Sequence, residues 1–352
     1  MKNRRRFLFI LLLGLLLVDI TLLALSLGST PIPLTTILKI LMSRLPGLGF
    51  LGDGIKSSWV VIIMDIRLPV VLMAVLVGAG LATSGATMQG LFRNPLVDPF
   101  IIGISAGGAF GAILGNVITT EVGMDIAWAR LVMVVLSFAG SVITVFLAYV
   151  ISKTGNRISI SSMLLAGIAL SAFLTAATQL MTYFFIENPK VVIFSLMGSC
   201  GNSQWEELAF VAPVVLFGSA VLIFFGRDLN AFSAGEENAK HLGVEVERSK
   251  TVILGLGSLV TATSVPFCGI IAFVGLIIPH MVRLLVGPDH RLLIPGSLIA
   301  GAVFLVLCDM FARNAMNWLF GSPVQIPVGM ATALLGGSFF VYLLAIRRGR
   351  TQ

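Results

Sequence analysis

The sequence predicts an all-α polytopic membrane protein with about ten transmembrane helices, and three observations predict it. Of the 352 residues, 57% are hydrophobic and only 11% are charged, whereas a soluble chain carries about 25% charged residues. The mean hydropathy is +1.02. Apolar runs of about 20 residues, the length that crosses a bilayer, recur along the chain. No polar stretch is long enough for a separate domain, so we expect residues 1–352 to form one transmembrane domain.

Ten apolar runs, each bounded by charged or turn residues, are the candidate spans: 7–27, 68–90, 100–117, 129–151, 161–185, 207–226, 251–267, 270–284, 292–312 and 326–346. The seventh and eighth runs are short, and a single span kinked at Pro266 is the alternative. If the seventh and eighth runs are two separate spans, the basic residues at both chain ends lie on the same side of the membrane. The positive-inside rule favours that arrangement. We therefore expect ten spans with both termini cytoplasmic and most of the 23 Lys and Arg residues on the cytoplasmic side.

The ends of the spans give further expectations. A cleaved signal peptide is the alternative for the first run, but its apolar part would have only about 7–15 residues, so a retained span is expected. The four tryptophans fall at predicted outer ends of spans, where this residue type is enriched: Trp59, Trp128, Trp205 and Trp318. Residues 189–201 are predicted to form a short interfacial helix on the outside.

Four glycines recur every fourth residue in the third run: Gly103, Gly107, Gly111 and Gly115. On a helix they share one face, which predicts close packing against a second helix. The same stretch contains a G-x-S-x-G pattern around Ser105. A nucleophile elbow needs a strand before the serine and a histidine within reach, and only His280 is a candidate partner. An intramembrane hydrolase is therefore a weak alternative.

Charged residues inside spans are functional candidates because they are costly in lipid. Asp309 and Arg313 have the spacing of a helical ion pair, which has either a structural or a docking role. Asp19 is isolated in the first span, so a chain of proton-relay groups is not evident and a proton-coupled carrier is poorly supported. The three cysteines lack metal-ligand or disulfide spacing and are interpreted as packing residues, and no metal site is predicted: Cys200, Cys268 and Cys308.

The longest polar segment is 227–250, which we place in the cytoplasm. Ser233 followed by Glu236 has the spacing of a capping box, and Gly243 can end the short helix that this box would begin. A solvated loop is the simpler interpretation, but a deliberately capped helix favours docking of a cytoplasmic partner. No phosphate-binding loop is present around Lys250, so any ATP that drives the protein is bound by a partner.

Several stretches, read together, carry a resemblance to a known family: 67–69, 78–85, 93–99, 103–107, 235–239, 242–244, 273–283, 289–291, 309–313 and 327–329, with Gln89, Thr332 and Gly336. In this order they closely resemble the FecCD/BtuC-type permeases, the membrane subunits of ABC importers for iron-siderophores, haem and cobalamin. The resemblance covers nearly the whole chain from Arg67 onward.

The resemblance implies a type II ABC importer permease fold and a set of partners. These are a second permease subunit forming a homodimer, two cytoplasmic ATP-binding subunits, an extracytoplasmic substrate-binding protein and the lipid bilayer. The implied location is the cell (inner) membrane of a bacterium or archaeon. ATP and Mg would belong to the ATPase, so this chain is expected to bind no cofactor and to catalyse no reaction. The net charge of +7 is interpreted as Lys and Arg on the cytoplasmic side of a membrane protein, so no nucleic-acid partner is expected.

The resemblance also implies roles for individual residues. ATPase coupling is expected at seven positions of the cytoplasmic segment: Gly235, Glu236, Glu237, Ala239, Leu242, Gly243 and Val244. Docking of the binding protein is expected at Arg67 and Arg313, and a cytoplasmic gate at Ile160 and Ser161. Three residues depart from the family pattern, namely Val70 in place of a second arginine, Gln325 in place of an acid and Ser338 in place of proline. Lys56 or Arg130 are candidates to replace the missing arginine.

The expected mechanism is alternating access driven by the partner ATPases. Spans five and ten are expected to line the path. Few carboxylates lie in the spans, and a hydrophobic-walled conduit suits a chelate or macrocycle better than a bare ion, which needs coordinating oxygens. An iron(III)-siderophore is the expected cargo, with cobalamin or haem as alternatives. An ion-coupled secondary transporter is the alternative of another class.

Overall fold

The structure, a computed structural model, describes residues 2–28, 30–155, 157–186, 194, 196–322 and 324–349. The predicted interfacial helix at 189–201 lies largely outside these residues and stays a prediction. The α-helices of the described part are α1 Lys2–Ser26, α2 Leu34–Ser43, α3 Ser57–Val61, α4 Leu68–Leu91, α5 Ile104–Val122, α6 Ile126–Ser152, α7 Ile160–Phe185, α8 Trp205–Phe224, α9 Gly226–Ser233, α10 Glu236–His241, α11 Val246–Cys268, α12 Val274–Val286, α13 His290–Phe320 and α14 Val328–Gly349.

Short elements complete this description. A π-helical turn, Ile62–Arg67, joins α3 to α4 in one continuous helical stretch. Turns of 3₁₀ helix lie at Gly49–Gly52 and Pro99–Ile102. Between α6 and α7, β1 (Lys153–Thr154) and β2 (Arg157–Ile158) form a small antiparallel hairpin, which pairs Lys153 with Ile158.

Seven helices of the described part are long and apolar enough to cross a membrane: Leu8–Ser26, Ser57–Leu91, Ile126–Ser152, Ile160–Phe185, Trp205–Phe224, Val246–Cys268 and His290–Phe320. The glycine-rich α5 has 19 residues, and the shorter apolar helices α12 and α14 coincide with the predicted eighth and tenth spans. The predicted fold class, an all-α polytopic protein with about ten membrane helices, is confirmed.

The seventh and eighth predicted spans are two separate helices. Pro266 lies inside α11 and does not end it. The helix ends at Cys268, where Gly269 takes a left-handed backbone with φ +65°, and α12 begins after Phe273, whose φ is +71°. Two residues with positive φ, Gly269 and Phe273, therefore separate the two helices. The seventh segment is also longer than predicted, because α11 begins at Val246, inside the predicted loop.

The helix α4 lies at the centre of the bundle and packs against α8, α11, α12 and α13. All of its residues except Leu68, Leu72 and Val75 are buried. Glycines allow the close approach: a Cβ atom built on Gly78 would lie 2.3 Å from the carbonyl oxygen of Gly301, and one on Gly85 would lie 1.9 Å from that of Gly275. Association without a hydrophobic driving force in lipid depends on such small residues.

The predicted glycine face of the third span lies against α6. A Cβ atom on Gly107 would lie 2.3 Å from the Gly140 carbonyl oxygen, and one on Gly111 would lie 2.0 Å from that of Leu136. A Cβ atom on Gly115 would lie 2.8 Å from the Cα atom of Met133. Gly103 differs from the other three, because it precedes the helix as its N-cap with φ +96°.

Candidate functional site

The predicted coupling segment folds as two short helices, α9 and α10. Gly235 begins α10 as its N-cap with φ +106°. The end of α10 is a Schellman motif, because the Gly243 N–H donates to the Lys240 oxygen and the Val244 N–H to the Ala239 oxygen, at 2.9 and 3.0 Å. Gly243 therefore ends the helix at the predicted residue.

The predicted capping box at the start of this helix is wrong. Ser233 is the last residue of α9, and its hydroxyl donates to the Asn230 carbonyl at 2.6 Å. No side chain caps α10; Glu236 instead accepts a hydrogen bond from Lys250 Nζ at 2.8 Å. Ser233 and Glu236 have the spacing of a capping box, but the positive φ of Gly235 ends one helix before the next begins, so the two residues lie in different helices.

One face of α10 is anchored and the other is exposed. Ala239 is fully buried in an apolar cluster with Phe232 and Val246. Glu237, on the other side of the helix, is exposed, and Leu242, the C-cap residue that follows the helix, is 71% exposed.

The predicted gate residues lie at the start of α7, near α10. Ser159 is the N-cap of α7 and accepts the Ser162 N–H at 3.3 Å, while its own N–H donates to the Ser152 oxygen at 3.1 Å. The hairpin of β1 and β2 thereby holds the first turn of α7. Ser161 is exposed and Ile160 is half-buried.

At the opposite end of the bundle, Arg67 is 6% exposed. Its Nη1 donates to the Leu25 oxygen at 2.7 Å, and its Nη2 donates to the Thr30 oxygen at 2.6 Å. The guanidinium therefore holds the chain that follows α1. Docking through Arg67 stays a prediction, and its present bonds give it a structural role within the subunit.

The second predicted docking arginine forms the predicted ion pair. Arg313 Nε lies 2.8 Å from Oδ2 of Asp309, and both side chains are largely buried. Arg313 Nη2 is buried and has no hydrogen-bond partner among the described residues. Arg67 and Arg313 lie close enough for their charges to interact. Of the candidate replacements, Arg130 pairs with Glu207, and Lys56 lies 5.2 Å above the Trp59 ring.

A cavity of about 620 Å³ opens beside α7. Its polar lining comes mainly from the connection before α5 and from one side of α7: Asp98, Ser105, Ser171, Thr175, Thr178 and Gln179. Gln179 is exposed, and its amide makes no hydrogen bond within the described residues. An amide without partners costs several kcal/mol in lipid, so this side of α7 faces water or another molecule.

Asp98 was not singled out from the sequence, although it ends the polar turn before the third span. Its Oδ1 accepts the Phe100 N–H at 2.9 Å, and the carboxylate also bonds the backbone of Phe273. Burial raises the pKa of Asp98 to about 6. The carboxyl thus joins the turn before α5 to the break between α11 and α12.

The structure does not support the intramembrane hydrolase that the sequence left as an alternative. Ser105 follows a 3₁₀ turn and lies in the first turn of α5, so the strand that a nucleophile elbow requires does not precede it. Among the described residues, no group of three or more His, Cys, Asp or Glu side chains is placed to hold a metal ion. The three cysteines are buried free thiols, and Cys200 and Cys268 lie with their sulfurs 3.6 Å apart.

The sequence profile of the FecCD transport family matches residues 15–346, nearly the whole chain. The chain belongs to the FecCD transport family. It is 41% identical over 297 residues to the cobalamin import system permease protein BtuC of Halobacterium salinarum, covering 84% of this chain and 77% of that protein. It is 37% identical to the hemin transport system permease protein HmuU of Yersinia pestis, covering 84% of this chain and 86% of that protein.

A solved structure agrees with these relatives. An inward-facing metal-chelate type ABC transporter superposes with a TM-score of 0.78 at 32% identity, covering 96% of this chain and 98% of the other. This member of the FecCD family is therefore a multi-pass permease subunit of the ABC-importer class. Its relatives are transport subunits and not enzymes, and this class works with ATPase and binding-protein partners.

Proposed function

We propose that the chain translocates an iron(III)-siderophore or a related metal chelate by alternating access, driven by partner ATPases. The observation that carries the proposal is the cavity beside α7. Its volume of about 620 Å³ suits a chelate, and its walls are largely apolar. A bare cation would need several coordinating oxygens, whereas Asp98 is the single carboxylate among the lining residues. The related importers of cobalamin and hemin are consistent with a bulky cargo.

The proposed assembly is a homodimer in a bacterial or archaeal cell membrane, with both termini cytoplasmic. The exposed length of α7, including Phe173 at 70% exposure, supports a second copy opposite it, with the cavities of both copies meeting at the dimer axis. Ile160 and Ser161 then face the partner at the cytoplasmic end, as a gate requires.

The ATPase is proposed to dock on α10. The exposed face of α10 with Glu237 and Leu242 supports this site, and Ala239 fixes the helix from beneath. Reversing the exposed charge with Glu237→Lys should reduce copurification of the ATPase, because Glu237 makes no contact that holds α10 within the described residues. Asn202→Lys, on the opposite end of the bundle, is the matched control. An unaltered complex after this charge reversal would place the coupling site elsewhere.

The binding protein is proposed to dock at the opposite end, near Arg313. Its buried Nη2 has no hydrogen-bond partner in the described part of the chain and would donate to a carboxylate of the binding protein while Nε keeps its pair with Asp309. Arg67, which is held by backbone carbonyls, is proposed to contribute charge.

The test of the proposed function is uptake by the complex with its own ATPase and binding protein in proteoliposomes. Ferric siderophores, haem and cobalamin are offered in parallel, with and without ATP. Accumulation of a ferric siderophore that needs ATP and the ATPase is the expected result. Uptake of haem or cobalamin alone would correct the cargo. Uptake that continues without the ATPase and stops when the proton gradient is collapsed would instead identify an ion-coupled carrier.

A further inference from the structure

A buried lysine connects the elements at the α10 end of the bundle. Lys250 lies in the second turn of α11, and only 4% of its side-chain surface is exposed. Its Nζ donates to Oε2 of Glu236 at 2.8 Å and to Oε1 of Glu247 at 3.2 Å. Hydrogen bonds between charged groups are about twice as strong as neutral ones. Because a buried ammonium needs such partners, α10 and the start of α11 are bound to each other.

The second oxygen of Glu247 extends this connection to the hairpin. Oε2 accepts the backbone N–H of Ile158, in β2, at 3.0 Å. Ile158 directly precedes Ser159, the N-cap of α7, and the gate residue Ile160 follows. Lys250 and Glu247 therefore connect α10 to β2, the strand that directly precedes the N-cap of α7.

Apolar contacts follow the same route. Ile158, Ala239 and Val246 are buried members of one cluster, which also includes Met163 from the first turn of α7. The elements are therefore packed against each other as well as hydrogen-bonded. If α10 moves and the hairpin does not, either Lys250 loses Glu236 or the Ile158 N–H loses Glu247. The first change leaves a buried ammonium with one carboxylate fewer, which is costly.

The neighbouring helix α9 is held by different partners. The Asn230 amide donates to Asp289 at 2.9 Å, and its oxygen accepts the His290 N–H at 2.9 Å. Asp228 accepts the Ser249 hydroxyl at 2.7 Å. These bonds join α9 to α11 and to the start of α13, and none of them reaches the hairpin. The hydrogen bond to the hairpin comes from Glu247, which is connected to α10 through Lys250.

We propose that Glu236, Lys250 and Glu247 form a mechanical link that transmits movement of α10 to the hairpin and gate, which makes Lys250 and Glu247 positioning residues of ATP-driven transport. This inference rests on the proposed function, since it requires an ATPase on α10 and a gate at Ile160 and Ser161. It adds that the two sites communicate through one ion network and one backbone hydrogen bond.

The test reads the gate directly. Ser161→Cys is introduced into the whole transporter with its ATPase and binding protein, in proteoliposomes. The native cysteines are buried, so a polyethylene-glycol maleimide reports on the new thiol. In this parent the labelling rate should change when the ATPase is trapped with ATP and vanadate. Adding Glu247→Ala should reduce that change about fivefold, within the range that one link in a coupled network produces, while ATPase copurification is retained.

Glu245→Ala is the matched control. It removes a carboxylate two residues away whose partner, Arg248, is exposed and is not connected to the hairpin. This variant should keep the parent's response. If Glu247→Ala does not assemble, Glu247→Gln replaces it; the amide keeps the side-chain size and an acceptor for the Ile158 N–H but weakens the contact to Lys250, so a smaller reduction is expected.

The outcomes separate the two levels of the argument. If labelling of the Ser161→Cys parent does not depend on nucleotide, the proposed docking site or the proposed gate is wrong. A parent that responds, together with an assembled Glu247 variant that responds equally, would overturn the link alone. Uptake per ATP hydrolysed provides a second readout: it should fall in the Glu247 variant and stay constant in the Glu245 control, whereas a merely stabilising role would lower both rates together.

Discussion

The helices α4 and α7 have similar lengths and opposite surroundings. Nearly every residue of α4 is buried by other helices of the same chain, and its glycines contact neighbouring backbone directly. On α7 only Met163, Ala166, Gly167 and Thr178 are buried, and a polar side faces a cavity. The first helix has all its partners within the subunit. The second is incomplete without lipid, a second subunit or cargo. This difference gives α4 a role in stability and agrees with the proposal that α7 lines the transport path.

The largest expected effect is on α4. Gly85→Ala would place a methyl group 1.9 Å from the Gly275 carbonyl oxygen, so α4 and α12 must move apart. Overpacking of this kind costs about 1–3 kcal/mol or more, and the yield of folded protein in detergent should fall sharply. Gly255→Ala in α11 is the control, since a Cβ there meets no atom within 4 Å. It should stabilise by about 0.5–1 kcal/mol. Equal behaviour of the two variants would contradict the packing of α4.

The next effect compares one residue type on both helices. Gln89 on α4 is buried; it donates to the carbonyls of Gly275 and Leu276 and accepts from Arg283 at 3.0 Å. Gln89→Leu should lower the free energy of unfolding by about 2 kcal/mol, because Arg283 and two carbonyls lose a partner. Gln179→Leu on α7 should leave stability nearly unchanged. Thermal unfolding of both purified variants measures the difference, and a larger loss for Gln179→Leu would reverse the assignment.

A third change tests the function of α7 without touching its packing. Thr175 is exposed and lines the cavity. Thr175→Trp should lower uptake about tenfold, equivalent to about 1.4 kcal/mol, by occupying the path, while the unfolding midpoint stays at its parent value. Ile168→Trp, at an exposed position of α7 outside the cavity lining, is the control and should keep uptake. Normal uptake by Thr175→Trp would place the cargo path elsewhere.

The sequence predicted those parts of the structure that depend on neighbouring residues. Most of the ten spans follow from local hydropathy, and the division of the seventh from the eighth follows from the distribution of basic residues. The Asp309–Arg313 pair follows from its i, i+4 spacing, and the end of α10 follows from Gly243. The box at Ser233 failed because a backbone reversal at Gly235 overrides side-chain spacing.

Other contacts depend on which distant segments meet. Arg67 bonds to the last turn of α1 and to the chain after it, and Glu247 bonds to the hairpin 89 residues earlier. Neither contact has a local signal in the sequence. The i, i+3 spacing of Glu247 and Lys250 was visible, but their connections to Glu236 and Ile158 appear only in the folded chain.

The smallest expected effect lies where the two regions meet. Asp98 follows α4, lines the cavity beside α7 and bonds the backbone of Phe100 and Phe273. Burial raises its pKa to about 6, above the ordinary 3.8, so the folded state favours the protonated acid. The stability that this preference contributes is complete below the unfolded-state pKa and is lost as the pH rises through about 6. The unfolding midpoint should therefore be higher near pH 5 than near pH 7.

Asp98→Asn isolates this contribution, since it keeps an acceptor oxygen for the turn but cannot titrate. Its unfolding midpoint should change less between about pH 5 and about pH 7 than that of the parent. Asp125→Asn is the matched control, because Asp125 caps α6 with the same geometry, accepting the Ala127 N–H at 2.9 Å, but is exposed. It should keep the parent's pH dependence. If Asp98→Asn also keeps the parent's pH dependence, the Asp98 carboxyl is hydrated. Water in the cavity beside α7 would then reach the turn that follows α4.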